Sequence, residues 1–379
     1  MTEMIAEPRT HYPAGEEFLL LPPTMQPFAY RNVDKMFATR TIHRGPTCVA
    51  LLRGPEIAPT YGLDGQTRSV ERYMTRTNVA GLLVLKDGAI RLERYALGLD
   101  EATRWSSMSM VKSMTSTLVG AAIQDGAIGS LDDQVSSYVT ALRGSAYDDV
   151  SIRHLLTMSS GVQWTENYAA RGSDVNLYSK SLGDKVPGGV LTLMKSLRRA
   201  APPGERFNYN TGDTYVLGCL VSAATGTTLA AYMTQKIWAG FGMEYDGFYT
   251  LESEGGQEIG GSRAGMALRD FGRFGLFMLG GGAGVLPSSW TEDANRTSFA
   301  LDPAQNSYRA SGYGYSWWLD KDGAMVAVGF SGQSLYINRA RGLVIATLSC
   351  WPQPPHDTAY ATDFSAERLA FRAAVNALV

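Results

Sequence analysis

Ser106-Ser107-Met108-Ser109-Met110-Val111-Lys112-Ser113-Met114 sets a serine and a lysine three positions apart, where strand-like sequence gives way to helical periodicity. From 110 to about 124, Val111, Met114, Leu118, Ala121 and Ala122 share one helical face, and Asp125-Gly126 ends the pattern. One helical turn brings Ser109 and Lys112 to the same side. A serine in a first turn has free backbone N–H groups and the positive end of the helix dipole beside it, which favours an attacking oxygen and the oxyanion it creates. Plainer roles fit the same residues: Ser109 as an N-cap, Lys112 as a solvated helix charge. A lone S-x-x-K arises about once by chance in a chain of this length. Against the plainer role of Lys112 stand Met108, Met110, Val111 and Met114, which make the turn apolar, and a buried lysine has a depressed pKa.

Upstream, Gly81-Leu82-Leu83-Val84-Leu85 and Ala89-Ile90-Arg91-Leu92-Glu93-Arg94-Tyr95 flank Lys86-Asp87-Gly88, the pattern of an antiparallel hairpin. Residues 1 to about 75 show no periodicity and are expected to wrap the surface with few regular elements and no assignable chemistry. Downstream, 151–157, 213 to about 225, 229 to about 239 and 266–279 read as helices. Strand patterns return at 313–319, 324–328, 333–338 and 343–349, and 365–378 is an amphipathic helix. Strands near both ends around a helical middle predict an α+β fold. Its discontinuous α/β domain (1–105 and 250–379) would carry an antiparallel sheet flanked by helices, with an inserted mainly helical domain (106–249) and a cleft between the two.

The 379 residues are 45% hydrophobic and 18% charged, enough for a substantial core. The 34 basic and 36 acidic residues nearly cancel, and no Lys/Arg-rich run appears, so a nucleic-acid partner is not expected. Met1-Thr2-Glu3-Met4-Ile5-Ala6-Glu7-Pro8 lacks a basic region leading into an apolar run, and no uninterrupted apolar stretch approaches the ~18 residues of a membrane span. A cytoplasmic protein without a membrane partner is the expectation. Cys48, Cys219 and Cys350, odd in number and set far apart, read as buried free thiols. His11, His43, His154 and His356 show no metal-ligand spacing, so neither a metal nor a cofactor is expected.

Two further segments stand out. Pro202-Pro203-Gly204-Glu205-Arg206-Phe207-Asn208-Tyr209-Asn210-Thr211-Gly212 is a rigid turn that delivers Tyr209 just before a helix, although Tyr209 also suits an ordinary core aromatic. Val328-Gly329-Phe330-Ser331-Gly332-Gln333-Ser334 puts small residues inside a strand pattern, the mark of a β-bulge or of a close approach by a ligand or another backbone.

In this order the three segments resemble the serine β-lactamase and penicillin-binding superfamily, most closely its class C-like branch with the esterases and the 6-aminohexanoate-dimer (nylon oligomer) hydrolases. The likeness covers most of 80–351. It is supported by Asp125-Gly126-Ala127-Ile128-Gly129-Ser130-Leu131-Asp132-Asp133, by Ser151-Ile152-Arg153-His154-Leu155-Leu156-Thr157-Met158-Ser159-Ser160-Gly161-Val162, and by Gly260-Gly261-Ser262 followed by Leu268-Arg269-Asp270-Phe271-Gly272-Arg273-Phe274-Gly275. The resemblance implies a β-lactamase/transpeptidase-like fold. It casts Ser109 as the acylated nucleophile, Lys112 as its proton acceptor and Tyr209 as the second proton-transfer group, with the backbone N–H groups of Ser109 and Gln333 forming the oxyanion hole. An ordinary lysine is neutral at pH 7 only about once in 2,500, a handicap of roughly 4.6 kcal/mol. Burial and an adjacent phenol reduce it.

Three positions depart from the family pattern. Where β-lactamases carry Lys-Thr-Gly on the strand lining the cleft, this chain has Phe330-Ser331-Gly332, which keeps the hydroxyl but not the cation that meets the carboxylate of penicillin. Tyr-x-Asn becomes Tyr209-Asn210-Thr211, and Met158 stands where many relatives have histidine. With Trp164-Thr165-Glu166-Asn167-Tyr168 following, the loop looks like that of the nylon oligomer hydrolases, which implies that Tyr168 assists amide cleavage and that a nearby acid, Asp174, reads a substrate amine. The expected substrate set is therefore Tyr168, Asp174, Thr211, Phe330, Ser331 and Gly332, around a small ester or amide cleaved through an acyl-enzyme. A β-lactamase or D-amino-acid peptidase, an acyltransferase using the same serine, and a non-catalytic binding module are the alternatives. The oligomeric state is not legible.

Overall fold

The structure is a computed structural model that describes residues 18, 20–352 and 358–379; the segment 1–8, His11 and His356 lie outside the described residues. An eight-stranded antiparallel sheet runs in the order Ala89–Tyr95, Val79–Lys86, Leu343–Ser349, Gln333–Asn338, Met325–Gly329, Trp318–Leu319, Gly312–Tyr313 and Phe299–Ala300. Its first hairpin closes at Asp87 and Gly88, whose φ values of 50° and 80° are those of a primed turn matched to the twist of the strands. Its central strands are apolar on both faces because both are covered. On one face the helix Leu268–Leu279 sits so close that a Cβ on Gly272 would lie 2.6 Å from Leu83, and one on Gly275 2.4 Å from Val344. On the other, Leu82, Val84, Ile345 and Tyr336 pack with Tyr73 of the helix Val70–Arg76 and with Phe371 and Val375 of the helix Thr358–Leu378.

The helix Val111–Gln124 packs against the helix Thr211–Thr225. Residues 111 to 122 are buried all round, so its small hydroxyls need internal partners. Ser113 and Ser116 donate to the carbonyls of Ser316 and Tyr315 (2.6 and 2.7 Å), and Thr115 donates to Gly260 O (2.7 Å). That demand reshapes the expected strand at 313–319. It is broken into Gly312–Tyr313 and Trp318–Leu319 by a reversal with Ser316 at φ 58°, which turns those two carbonyls onto the helix.

The segment before residue 75 is more ordered than its lack of periodicity implied. The strand Thr39–Ile42 joins Gly247–Thr250, Ala264–Met266 and Trp105–Ser106 in a second antiparallel sheet, and the short helices Gln26–Tyr30 and Val33–Met36 precede it. Phe18, Tyr30 and Phe37 are core residues. Short elements of four or five residues leave too few turns for a period to show, yet the aromatics in and beside them are buried in the core. The helix expected over 229–239 holds its α form for Leu229–Met233 and widens to a π turn over Thr234–Trp238. Cys219 and Cys350 are buried free thiols, whereas Cys48 is exposed, in an irregular stretch that offers it no core to enter.

Candidate active site

Ser109 stands in a single 3-10 turn, Met108–Met110, at the head of the helix Val111–Gln124. Ser107 anchors this turn to the neighbouring strand: its N–H donates to Ala264 O (2.8 Å), and its Oγ accepts from Ala264 N–H (2.9 Å). Met108 takes φ 45°, a left-handed conformation that costs a β-carbon residue about 1 kcal/mol or more and that surrounding packing must hold. Ser109 is half-buried; Lys112 is only 2% exposed. Lys112 Nζ lies 3.1 Å from Ser109 Oγ and 3.0 Å from Thr211 Oγ1, and it also donates to Gly261 O. Burial pulls the amine down from 10.5 to about 8, and the charge of Glu166 acts the other way.

Gly260 and Gly261 make this placement of a carbonyl sterically feasible. A Cβ on Gly261 would lie 2.6 Å from Thr211 O, and one on Gly260 2.9 Å from Thr115 Oγ1, so only glycines let the backbone enter between the two helices.

Tyr209 arrives on a loop tied to Met158, which occupies the position of the expected histidine. Asn208 N–H donates to Met158 O (2.8 Å) and Asn210 N–H to its sulfur (3.3 Å). Asn210 then caps the helix Thr211–Thr225 by accepting Asp213 N–H at 3.0 Å. The Tyr209 ring stacks on Trp318 with centroids 5.5 Å apart, and Lys112 Nζ lies 5.2 Å from its centroid. Burial drives the phenol well above its ordinary pKa, Tyr313, Tyr308 and Glu166 add to that, and hydrogen bonding to Ser109 opposes it.

The hairpin of Met325–Gly329 and Gln333–Asn338 closes over the Met108–Met110 turn. A Cβ on Gly329 would lie 2.6 Å from Ser107 O, and Gly329 pairs in register with Gln333, so Gln333 is carried to the same place. The Gln333 side chain is spent on the framework: Oε1 accepts from Trp105 Nε1 (3.0 Å) and Ser349 N–H (2.9 Å), while Nε2 donates to Ser349 O (2.6 Å). Only its main chain is left for chemistry.

Ser109, Tyr168, Thr211, Phe330, Tyr178 and Arg263 line one cavity. Of the expected substrate set, Tyr168, Thr211 and Phe330 are therefore brought together, with the rings of Tyr168 and Phe330 4.8 Å apart. Ser331 and Gly332 are not. Ser331, at φ 57°, turns its hydroxyl to Tyr30 (2.9 Å), and Gly332, at φ 90°, sits where a Cβ would lie 2.0 Å from Trp351 Nε1. Both belong to the packing beneath the loop. Asp174 does not reach the cavity either: it opens the helix Asp174–Gly183 and accepts Thr165 N–H at 2.8 Å.

The acid that the site does hold is Glu166, which the sequence reading passed over. Its carboxylate accepts from Trp164 Nε1, Tyr168 OH (2.6 Å), Thr211 N–H (3.1 Å) and Thr211 Oγ1. Because Thr211 Oγ1 also accepts from Lys112, a continuous chain runs from Ser109 through Lys112, Thr211 and Glu166 to Tyr168. Two positions separate Glu166 from Tyr168, but nothing local pairs either residue with the distant Thr211.

The family model described as beta-lactamase matches residues 67–370. The chain belongs to the beta-lactamase family. Within the family it is 28% identical over 331 residues to the 6-aminohexanoate-dimer hydrolase of Paenarthrobacter ureafaciens, covering 82% of this chain and 83% of that one. A Bacillus anthracis protein assigned as a 6-aminohexanoate-dimer hydrolase superposes with a TM-score of 0.79 at 21% identity, over 92% of this chain and 94% of the other. A penicillin-binding protein from Bacillus halodurans superposes at 0.60 with 17% identity, over 77% and 98%. The expected α+β, β-lactamase/transpeptidase-like fold is thus the fold observed, and family membership makes the chain a hydrolase of this superfamily.

Proposed function

We propose that this hydrolase cleaves small esters or amides through an acyl-enzyme on Ser109, as a carboxylesterase or an amidase like its 6-aminohexanoate-dimer hydrolase relative. The observation that carries the reading is the buried Lys112 amine 3.1 Å from Ser109 Oγ, its proton affinity lowered by the loss of water. A neutral Lys112 takes the serine proton as Oγ attacks the carbonyl carbon. The backbone N–H groups of Ser109 and Gln333 receive the oxyanion. Tyr209, kept protonated by burial, gives its proton to the departing alcohol or amine and recovers one from the Lys112 ammonium, so the serine proton ends on the leaving group. Water then attacks the acyl-serine by the reverse path. Phe330, its ring against that of Tyr168, stands where the family's penicillin-cleaving members place a lysine, so the carboxylate of a penicillin meets no cation at that position of the hairpin and β-lactam turnover is the lesser activity.

Intact-mass analysis with a panel of p-nitrophenyl esters and benzylpenicillin tests this. A transient adduct equal to the acyl group, lost in Ser109→Ala with an unchanged circular dichroism spectrum, is the expected result, with ester kcat/KM above that for benzylpenicillin. Near wild-type turnover by Ser109→Ala would overturn it.

A further inference from the structure

Arg263 follows Gly260-Gly261-Ser262 and lines the cavity that holds Ser109. It is 3% exposed, its Nε has no hydrogen-bond partner, and among the described residues it forms no ion pair. Of the other buried arginines, Arg68, Arg273 and Arg372 each lie against a carboxylate, on Glu367, Asp270 and Asp320, while Arg368 lies over the Trp351 ring without an ion pair among the described residues and is not among the residues lining this cavity. Arg263 instead lies over aromatic faces, its guanidinium carbon 4.0 Å from the Phe37 centroid and 4.9 Å from that of Phe18. Ring faces offset part of the cost of burying the charge, but they do not accept the fork of N–H groups that a guanidinium presents. Burial lowers its pKa to about 10, which leaves it a cation at neutral pH. Glu166, the carboxylate of the catalytic network, is already committed to Trp164, Tyr168 and Thr211.

A buried, cationic planar fork beside a nucleophile, without a protein counter-ion, matches a planar oxyanion two bonds at a time. We propose that Arg263 receives a free carboxylate carried by the substrate, so that the preferred esters or amides are anionic. This rests on Ser109 being the nucleophile. It also means that Phe330 does not leave the cavity without a cation: the positive charge enters from the Gly260-Gly261-Ser262-Arg263 segment instead of from the hairpin.

The test compares wild type, Arg263→Gln and Arg263→Lys on p-nitrophenyl hexanoate and on two anionic esters, mono-p-nitrophenyl adipate and 4-carboxyphenyl hexanoate. These carry the carboxylate in the acyl half and the leaving half respectively. For at least one anionic ester, Arg263→Gln should lower kcat/KM about ten- to a hundred-fold more than for the neutral ester, with partial recovery in Arg263→Lys. Adipate, which has no bond for the site to cleave, should bind wild type by calorimetry, compete with p-nitrophenyl hexanoate, and bind at least about ten-fold more weakly to Arg263→Gln. If Arg263→Gln fails to fold, Arg263→Lys and adipate competition in wild type carry the test. Equal losses on all three esters, or no adipate competition, would overturn the proposal. Phosphate binding as tightly as adipate while the ester ratios stay unmoved would assign the arginine to a free anion and overturn it too. Esters left uncleaved while adipate still binds through Arg263 would refute the nucleophile alone. Cleavage at Ser109 without any anionic preference would refute the carboxylate site alone.

Discussion

Lowering the pH from 9 to 6 should cut kcat/KM for a neutral p-nitrophenyl ester about ninety-fold, with a plateau above roughly pH 8.5. The magnitude comes from Lys112, which burial brings from 10.5 to about 8. With 10.5 in place of about 10.4 as the unperturbed value, a lysine at pH 7 is neutral in about one molecule in 3,200 instead of about one in 2,500, and one at about 8 in roughly one in eleven, a gain of about 290-fold or ~3.4 kcal/mol in available base. A folded-state value below the ordinary one means that the proton-accepting form dominates above about pH 8 and is lost as the pH falls through it. Initial rates followed at the isosbestic wavelength of p-nitrophenol, with spontaneous hydrolysis subtracted, give the profile. The ester has no ionising group in this range, so the limb reports the enzyme. A flat profile between pH 6 and 9 would refute Lys112 as the base. A rise of slope one continuing past pH 9.5 would refute the effect of burial on it.

Glu166→Gln removes the charge that holds the Lys112 pKa up, so the acid limb should move to lower pH while kcat falls about ten-fold or more because the amide offers one acceptor oxygen, and a donor NH2, to the four donors of Trp164, Tyr168 and Thr211 that two carboxylate oxygens served; a limb that stayed in place or moved up would count against the network. Asp213, fully buried with Oδ1 accepting from Tyr147 OH at 2.8 Å and Oδ2 unpaired, is raised by burial from 3.8 to about 7. The folded state therefore binds more protons than the unfolded one between those values, and stability should decline as pH rises from about 4 to about 7, by up to about 4 kcal/mol. Urea melts across that range should show a shallower decline in Asp213→Asn than in wild type, and equal slopes would reject the assignment.

Much of the site was legible because it is built from local pairs. Ser109 and Lys112 are one helical turn apart, so the spacing alone sets their side chains together, and the apolar Met108, Met110, Val111 and Met114 already implied a buried amine. The hairpin at Asp87-Gly88 and the helices around Val111–Gln124 and Thr211–Thr225 were readable for the same reason, since turn chemistry and periodicity act over a few residues. The tertiary structure decided which distant groups share a cavity. Asp174 and Glu166 are two acids eight positions apart, alike in sequence, and only the arrival of Thr211 on another helix gives Glu166 the hydroxyl and N–H that make it the acid of the site, while Asp174 opens a helix and accepts Thr165 N–H. Ser331 carried a usable hydroxyl until Tyr30, some three hundred residues away along the chain, claimed it. Nothing in the sequence set Arg263 apart; Phe18 and Phe37, from a segment without any period, close over it in the folded chain. Covalent neighbours fix geometry within a turn or a strand pair, whereas burial, and with it the worth of a charge or a hydrogen bond, depends on whatever else the folded chain brings to the same few ångströms.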